Sequence, residues 1–490
     1  MPVTAILPGG HAGCDGGVGR PNSRYLRLSR GRLRFAQATC YSSGMSQPEP
    51  VDHPLSIWIV NPLDDIPGEH QPPQRAWSLA RLLASRGHDV IWWSATWSHR
   101  RKAIRSAPLG VKDDEGFAVR LVAVRPYDRD MSLARLASHR DFGRTFERLA
   151  KESIAAGQLQ RPDIILASLP PLDGPEAAAR LAKQLDAEFV VDLSNLWPEA
   201  LEPFVPGPAL LRPLTKRLLL GGMVRRRDAI LAAADAIAAA SPGCIATLPV
   251  AARADVPKHV AILGGYPQQF LPPPRVIDHV SPAAGMTLAH PVGDDSTQPL
   301  ACVHAGQLGA DEDLDTLVVA VRQLSAAGIE ATIHIVGKGQ TEAALRNVAA
   351  TASGGCRLVV HGLLDWTAYV DLLSRCDVGL VLTKPKSVAA IPAEAFDYAA
   401  AGLAIVSGLP GELENLIAEP GAGLGYGSGD PTSLARAIRA LAEDRSRLAA
   451  CRQAARRLAE TIFDREKITS VYADWLQGLR TGEEPRCDAS

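Results

Sequence analysis

The chain has 490 residues, with 52 Lys+Arg against 53 Asp+Glu for a formal net charge of −1, and it is 46% hydrophobic and 21% charged. Such a length exceeds one ordinary core, so two domains or more are expected, and the near-neutral balance argues against nucleic acid as a partner. Apolar stretches are broken by Asp or Arg well short of the roughly 18 to 20 residues that span a bilayer. The eight cysteines stand singly, without disulfide or metal-ligand spacing, which suits small buried hydrophobes in a reducing cytosol.

Taken in chain order, residues 1–53 form an N-terminal extension that is not expected to pack: six arginines up to Pro48 face one acid, Asp15, among many Gly and Ser. Three readings stay open, namely a transit peptide, a basic tail, or translated sequence ahead of a start at Met45. The last is preferred because Met45 lies just before the first convincing strand and no apolar secretory core is present. From there short apolar strands alternate with helical patterns, the mark of a parallel sheet covered on both faces. Strands are predicted at 55–60, 89–93, 163–167, 189–193 and 234–239, with helices at 74–85 and 174–184 between them. A Pro- and Gly-rich stretch at 267–298 reads as a linker or long loop. The rhythm restarts with strands at 301–304, 331–336, 357–361, 378–382 and 404–406 and helices at 314–324, 341–350, 369–374 and 393–400. Two Rossmann-like domains in tandem follow, at 54–266 and 299–462. A last helix within 463–480 is long enough to pack back across the first domain, before a tail at 481–490.

Open α/β sheets bind ligands outside the carboxyl ends of their strands, so the loops after each strand carry the chemistry. After the first strand, Asn61–Glu69 includes Gly68, whose backbone can approach a phosphate; a plain Pro/Gly-shaped turn is the competing reading. In the second half, Gly306-Gln307-Leu308-Gly309 and Gly337-Lys338-Gly339 follow consecutive strands and suit close approach to a diphosphate. Neither is a Walker loop or a clean Gly-x-Gly-x-x-Gly, which lowers the case for ATP hydrolysis and NAD chemistry. The strongest stretch is a strand, a loop with Lys384 and Lys386, and a helix opened by Pro392 and closed by Gly402. Its N-terminus and either lysine would hold an anionic leaving group, and Asp397 is placed to accept from ribose hydroxyls. A surface helix beside solvated lysines is the alternative.

Together, the Ile-Pro-x-x-x-Phe-Asp-Tyr-Ala-Ala-Ala-Gly-Leu helix, Gly306–Leu317, Val336-Gly337-Lys338-Gly339 and Leu193-Ser194-Asn195-Leu196-Trp197-Pro198-Glu199 resemble the GT-B glycosyltransferases of family 4, over roughly residues 55–479. That resemblance implies an α/β chain of two Rossmann-like domains facing each other across a cleft, the first taking the acceptor and the second the nucleotide sugar. It implies transfer of a sugar from a nucleotide sugar to a glycan or lipid-linked glycan, with retention, in bacterial surface polysaccharide synthesis. No metal or cofactor is implied beyond the nucleotide-sugar co-substrate. Carried over by position, Gly306 and Gln307 would lie near the donor phosphates, Gly337 and Lys338 near base or ribose, and Asp397 would take the place of a ribose-binding Glu. Gly68 would approach the diphosphate from across the cleft, with Lys384, Lys386 and Pro392 at the leaving group.

The chain also departs from the family. Glu394 stands where a cation is common, Asp397 shortens a Glu, Asn195 replaces an Asp, and Ala389 replaces the first member of a Glu-x7-Glu pair. A carboxylate beside a diphosphate weakens binding unless Lys384 or Lys386 neutralises it. On the acceptor side, Trp97, His99, Arg100 and Arg101 follow a strand of the first domain; His99 is the candidate for contacting the transferred sugar, with His139 second. Residues 209–227 mix a Leu face with a basic face, which suits either an ordinary amphipathic helix or contact with an anionic membrane on the cytoplasmic side. Two alternatives to the transferase remain, a sugar-nucleotide epimerase of the same fold and a non-catalytic sugar-nucleotide-binding scaffold.

Overall fold

The computed structural model describes residues 53–69, 74–105, 115–129, 132–195, 197–205, 212–246, 248, 256–270, 299–309, 312–351, 354–384 and 391–481. Residues 1–52 of the extension, 271–298 of the predicted linker, Lys386 and the tail beyond 481 lie outside the described residues.

The first half runs β1 (Ser56–Val60), α1 (Arg75–Ser85), β2 (Asp89–Ala95), a small antiparallel ribbon of β3 (Trp97–Ser98) and β4 (Ala103–Ile104), β5 (Ala118–Val122), α2 (Leu133–Ala155), β6 (Ile164–Leu169), α3 (Asp173–Leu185), β7 (Glu188–Leu193), α4 (Arg212–Ala232), β8 (Ala236–Ala239), α5 (Pro242–Ala246) and β9 (Lys258–Val260). Among the described residues seven of these strands pair in parallel in the order β5-β2-β1-β6-β7-β8-β9. The second half runs β10 (Leu300–Ala305), α6 (Leu314–Ala326), β11 (Ala331–Val336), α7 (Glu342–Thr351), β12 (Cys356–Gly362), α8 (Trp366–Ser374), β13 (Val378–Val381), α9 (Ala393–Ala400), β14 (Ala404–Ser407), α10 (Glu412–Ala418), β15 (Gly423–Gly425), α11 (Pro431–Glu443), α12 (Arg445–Thr461) and α13 (Arg465–Thr481). Six parallel strands are ordered β12-β11-β10-β13-β14-β15. Two parallel Rossmann-like α/β sheets are thus the architecture.

The chemistry of each strand explains its place. Every residue of β1 and of β13 is buried, as a central parallel strand with helices on both faces requires. A pair of separate apolar cores results, one around Trp58, Trp93 and Phe146 and one around Leu317, Ile333 and Leu380. Cys244, Cys302, Cys356, Cys376 and Cys451 are buried free thiols.

The halves are joined where the chain crosses itself. Gly265 bridges Asp464, its N–H donates to the Phe463 carbonyl at 2.7 Å, and the Arg465 N–H donates to the Gly265 carbonyl at 3.0 Å. The Arg465 guanidinium donates to the carbonyls of Leu263 and Gly264 and lies 4.5 Å over the Tyr266 ring. Beyond this crossing α13 packs on α1: Arg86 pairs with Asp474 at 2.6 Å, and Arg75 lies 4.9 Å over the Tyr472 ring. Arg75 also grips Asp192 through two nitrogens, and His259 stacks on Tyr472 and Trp475. The arginine at the start of α1 therefore ties β7, the crossing and the last helix into one cluster.

Candidate functional site

The strand ends that carry the predicted motifs come together, and each is built by identifiable contacts. In the second half, Gly306, after β10, and Gly337–Gly339, after β11, pack against each other. A Cβ on Gly337 would meet the Gly306 carbonyl oxygen at 1.9 Å, and one on Gly339 would meet the Leu308 carbonyl oxygen at 2.0 Å. The Gly306 N–H donates to Val336 and the Leu308 N–H to Lys338. These glycines are required first by backbone meeting backbone, while Gln307 and Lys338 stay exposed beside them.

The loop after β13 leads through half-buried Lys384 to Pro392, whose extended φ and ψ of −62° and 143° open α9. Pro392 provides no side-chain cap to that N-terminus, where the Glu394 carboxylate accepts from its own backbone N–H. Tyr398 anchors α9 from beneath: it is fully buried, its hydroxyl accepts from the Ala305 N–H at 2.8 Å, and a Cβ on Gly379 would strike its ring at 2.2 Å. Phe396 packs edge-on against Phe463 at 4.8 Å, which ties α9 to the crossing.

Both carboxylates of α9 are strongly perturbed. Burial pushes Asp397 up to about 6, against the lowering effect of Arg465, the Tyr369 hydroxyl and Arg100. Burial and the neighbouring Asp397 push Glu394 up to about 7, with its own backbone N–H working the other way. Among the described residues no cation is found acting on Glu394, so Lys384 does not offset it. Lys386 lies outside the described residues. Tyr369 on α8 is a site residue that the sequence reading missed, because a Tyr within an apolar helix looks like core.

In the first domain, Gly68 and the 97–101 loop follow β1 and β2. Gly68 is exposed at φ 84°, with nothing near the position of a Cβ. Glu69 beside it accepts from the Ile66 N–H and from Arg105, and it pairs with Arg101. Arg105 is itself filled, donating to Ser94, Ala95 and Asp64 as well. Arg101 is thus a strut of the Gly68 loop. Arg100 differs: its Nη1 lies 3.6 Å from Asp65, and its charge is felt at Asp397 in the other domain. Trp97 is buried, 6.1 Å from the Tyr127 ring, so its face is spent on packing.

His99 Nδ1 is 2.7 Å from the Tyr127 hydroxyl. Tyr127 in turn stands edge-on to His139, and His139 to Trp197. Burial, with Arg135 and His99 nearby, drives His139 down to about 3, so it is neutral at ordinary pH. The two candidate histidines therefore belong to one aromatic string, joined by Tyr127, which no motif marked.

Comparisons with known proteins bear on the family and the fold. Residues 292–458 match the model of glycosyl transferases group 1, and residues 72–243 match that of the glycosyl transferase 4-like domain. No curated protein matches the chain. Among solved structures, sucrose-phosphate synthase from Thermosynechococcus elongatus aligns with a TM-score of 0.65 at 14% identity, over 88% of this chain and 100% of that one. HepE of Anabaena in complex with UDP gives 0.58 at 14%, over 86% and 100%. WaaG, described as a glycosyltransferase involved in lipopolysaccharide biosynthesis, gives 0.55 at 13%, over 86% and 100%. At such identities these likenesses speak for the fold.

Proposed function

We propose that this chain, which belongs to the group 1, family 4-like glycosyltransferases of GT-B fold, moves a sugar from a nucleotide sugar to a hydroxyl of a glycan or lipid-linked glycan, with retention. The observation that carries the reading is the convergence at Asp397. A hinge cation, Arg465, a second-domain hydroxyl, Tyr369, and a first-domain cation, Arg100, all act on that one carboxylate in the first turns of α9.

In this reading the donor diphosphate lies before Pro392, where α9 N–H groups and Lys384 stabilise the charge that grows as the bond from sugar C1 to the phosphate oxygen breaks. The acceptor oxygen bonds to C1 on the same face, and its proton passes to the departing diphosphate oxygen. No protein base is needed, which fits a His139 whose basicity burial lowers and a His99 engaged by Tyr127. Asp397 would receive the ribose hydroxyls. HepE is recorded with UDP and with UDP-glucose, so a uracil nucleotide is the first donor to try. A place in surface polysaccharide assembly is supported by the likeness to WaaG.

A membrane-facing acceptor is supported by α4. Leu214, Leu218 and Leu219 are exposed, Leu218 at 80%, beside exposed Arg217 and Arg225. The basic face is smaller than the sequence implies, because Arg226 is paired with Asp173 and Glu176, and Arg227 with Glu199 and Asp228. Among the described residues no helix is long and apolar enough to cross a membrane.

The test is a thermal-shift screen against UDP, GDP, dTDP, ADP and CMP, since a ligand of the folded state raises apparent stability by mass action. A selective shift that Lys384→Ala abolishes supports the transferase reading, and slow donor hydrolysis then separates an enzyme from a scaffold. No shift at millimolar nucleotide would tell against both readings and mean that the donor site is degenerate.

A further inference from the structure

We propose that His334 and His361 form a two-histidine site for a divalent ion of the zinc, nickel or copper class, on the half-open face of the second sheet. The site lies outside the donor-site reading and does not depend on it.

The sheet itself brings the two residues together. Along β11, Ala331, Ile333 and Ile335 are buried in the core, while Thr332 and His334 alternate with them and are half-buried. On the neighbouring edge strand β12 the pairing runs His334 with Val359 and Ile335 with Val360, then skips to Val336 with Gly362. His361 is thus the extra residue of a bulge, a device that re-aims a side chain. As a result His334 Nδ1 stands 2.9 Å from His361 Nε2, with the ring centroids 5.2 Å apart and the planes at 31°. One hydrogen lies between the two nitrogens, since a bond of that length needs one donor and one acceptor.

The same pair has the dimensions of a metal grip. Nitrogens held about 2.0–2.1 Å from one ion, at angles of roughly 90–110°, lie about 2.9–3.4 Å apart. An ion enters when each ring turns to bring its lone pair beside the line that joins them. The bridging hydrogen then moves to the outer nitrogen of its own ring, so both imidazoles stay neutral. Their surroundings favour that neutral form: burial, with His361 and Arg375 nearby, lowers His334 from its ordinary value, and burial with Arg346 lowers His361. Imidazole nitrogen suits zinc, nickel and copper, whereas magnesium and calcium take oxygen. Two arginines oppose a cation here, but each is matched by a carboxylate, Arg346 by Glu342 at 2.9 Å and Arg375 by Asp371. Among the described residues no third His, Cys, Asp or Glu completes a cage, so water fills the other positions and the affinity belongs in the micromolar range. The ion would bolt β11 to β12 beside Gly362, whose carbonyl accepts from the Gly337 N–H at 2.8 Å.

The experiment titrates zinc chloride and nickel chloride into the full chain, free of any histidine tag, by calorimetry at pH 7 and pH 5.5. One ion per chain is expected at micromolar concentration, with binding about tenfold weaker or more at pH 5.5, because protons compete for the same nitrogens. His334→Gln and His361→Gln should each weaken binding about tenfold or more at pH 7. Nickel should also broaden the ring-proton NMR signals of these two histidines ahead of all others, a readout on the wild-type chain that stands even if a variant melts early. Absence of binding at submillimolar zinc and nickel overturns the proposal. So does an affinity that both substitutions leave unchanged, or one indifferent to pH, since either result puts the ion on other groups.

Discussion

At the scale of single residues, the site is governed by groups that are costly where they stand. Asp397 and Glu394 bind their protons more tightly folded than unfolded, at about 6 and about 7 against ordinary values near 4. The folded state therefore holds more protons than the unfolded state between roughly pH 4 and pH 7, and stability from this pair falls as pH rises through that window. Denaturant melts at pH 5 and pH 8 should show that fall, and Glu394→Gln should remove its upper part; an unchanged slope in that variant would refute the assignment. Nucleotide affinity is expected to run the opposite way, rising through about pH 6 as Asp397 becomes an acceptor for ribose hydroxyls. Tyr398→Phe leaves the Ala305 N–H unpaired in the core and should cost about 1–3 kcal/mol by urea denaturation. Gly337→Ala, with its Cβ driven onto the Gly306 carbonyl oxygen, should cost more, about 3 kcal/mol or above. Those glycines were legible in the sequence as special, but their reason was not, because a ligand and a neighbouring backbone ask for the same missing side chain.

Among the elements, the central strands were readable because burial on both faces writes an unbroken apolar run, as in β1 and β13. What was missed lies at the margins. The edge strand β5 is interrupted by Arg120, whose guanidinium lies 5.7 Å over the Trp93 ring, so a charge in the sequence is a packed stem in the fold. Helix α2 is rich in Arg, and only a narrow stripe through Phe142 and Phe146 is buried, which weakens its periodic signal. For α4 the prediction is physical: if its leucines meet lipid, the protein should co-sediment with anionic vesicles, and Leu218→Ser with Arg217→Ser should abolish this. Salt-insensitive absence of binding in the wild type would leave α4 a plain surface helix. The cluster around Arg75 makes a sharper claim. Arg75→Ala leaves Asp192 buried without its partner and should cost about 3–5 kcal/mol in a calorimetric melt, whereas replacing both by Leu should cost less.

For the whole molecule, the tandem Rossmann-like plan was legible from the rhythm of strands and helices and from the break between the two runs. The way the halves bear on each other was not, since it depends on residues far apart in the chain: Arg100 with Asp397, Arg465 with Gly264, and Glu412 of α10 with Ser241 and the Gly243 N–H. Such pairs leave no local pattern. Gly265→Ala tests the crossing directly, because its Cβ would stand 2.7 Å from the Phe396 carbonyl oxygen, and a loss of about 1–3 kcal/mol should lower the melting of both domains together.

The position of α13 has a consequence for how the chain is made. The surface of the first domain that α13 covers, around Arg75, Arg86 and His259, is translated long before Tyr472 and Trp475 exist. At about 5–20 residues per second the ribosome leaves that surface uncovered for roughly tens of seconds. The first domain to emerge is thus the last to be finished, and until α13 is made its Arg75 cluster stands without its cover.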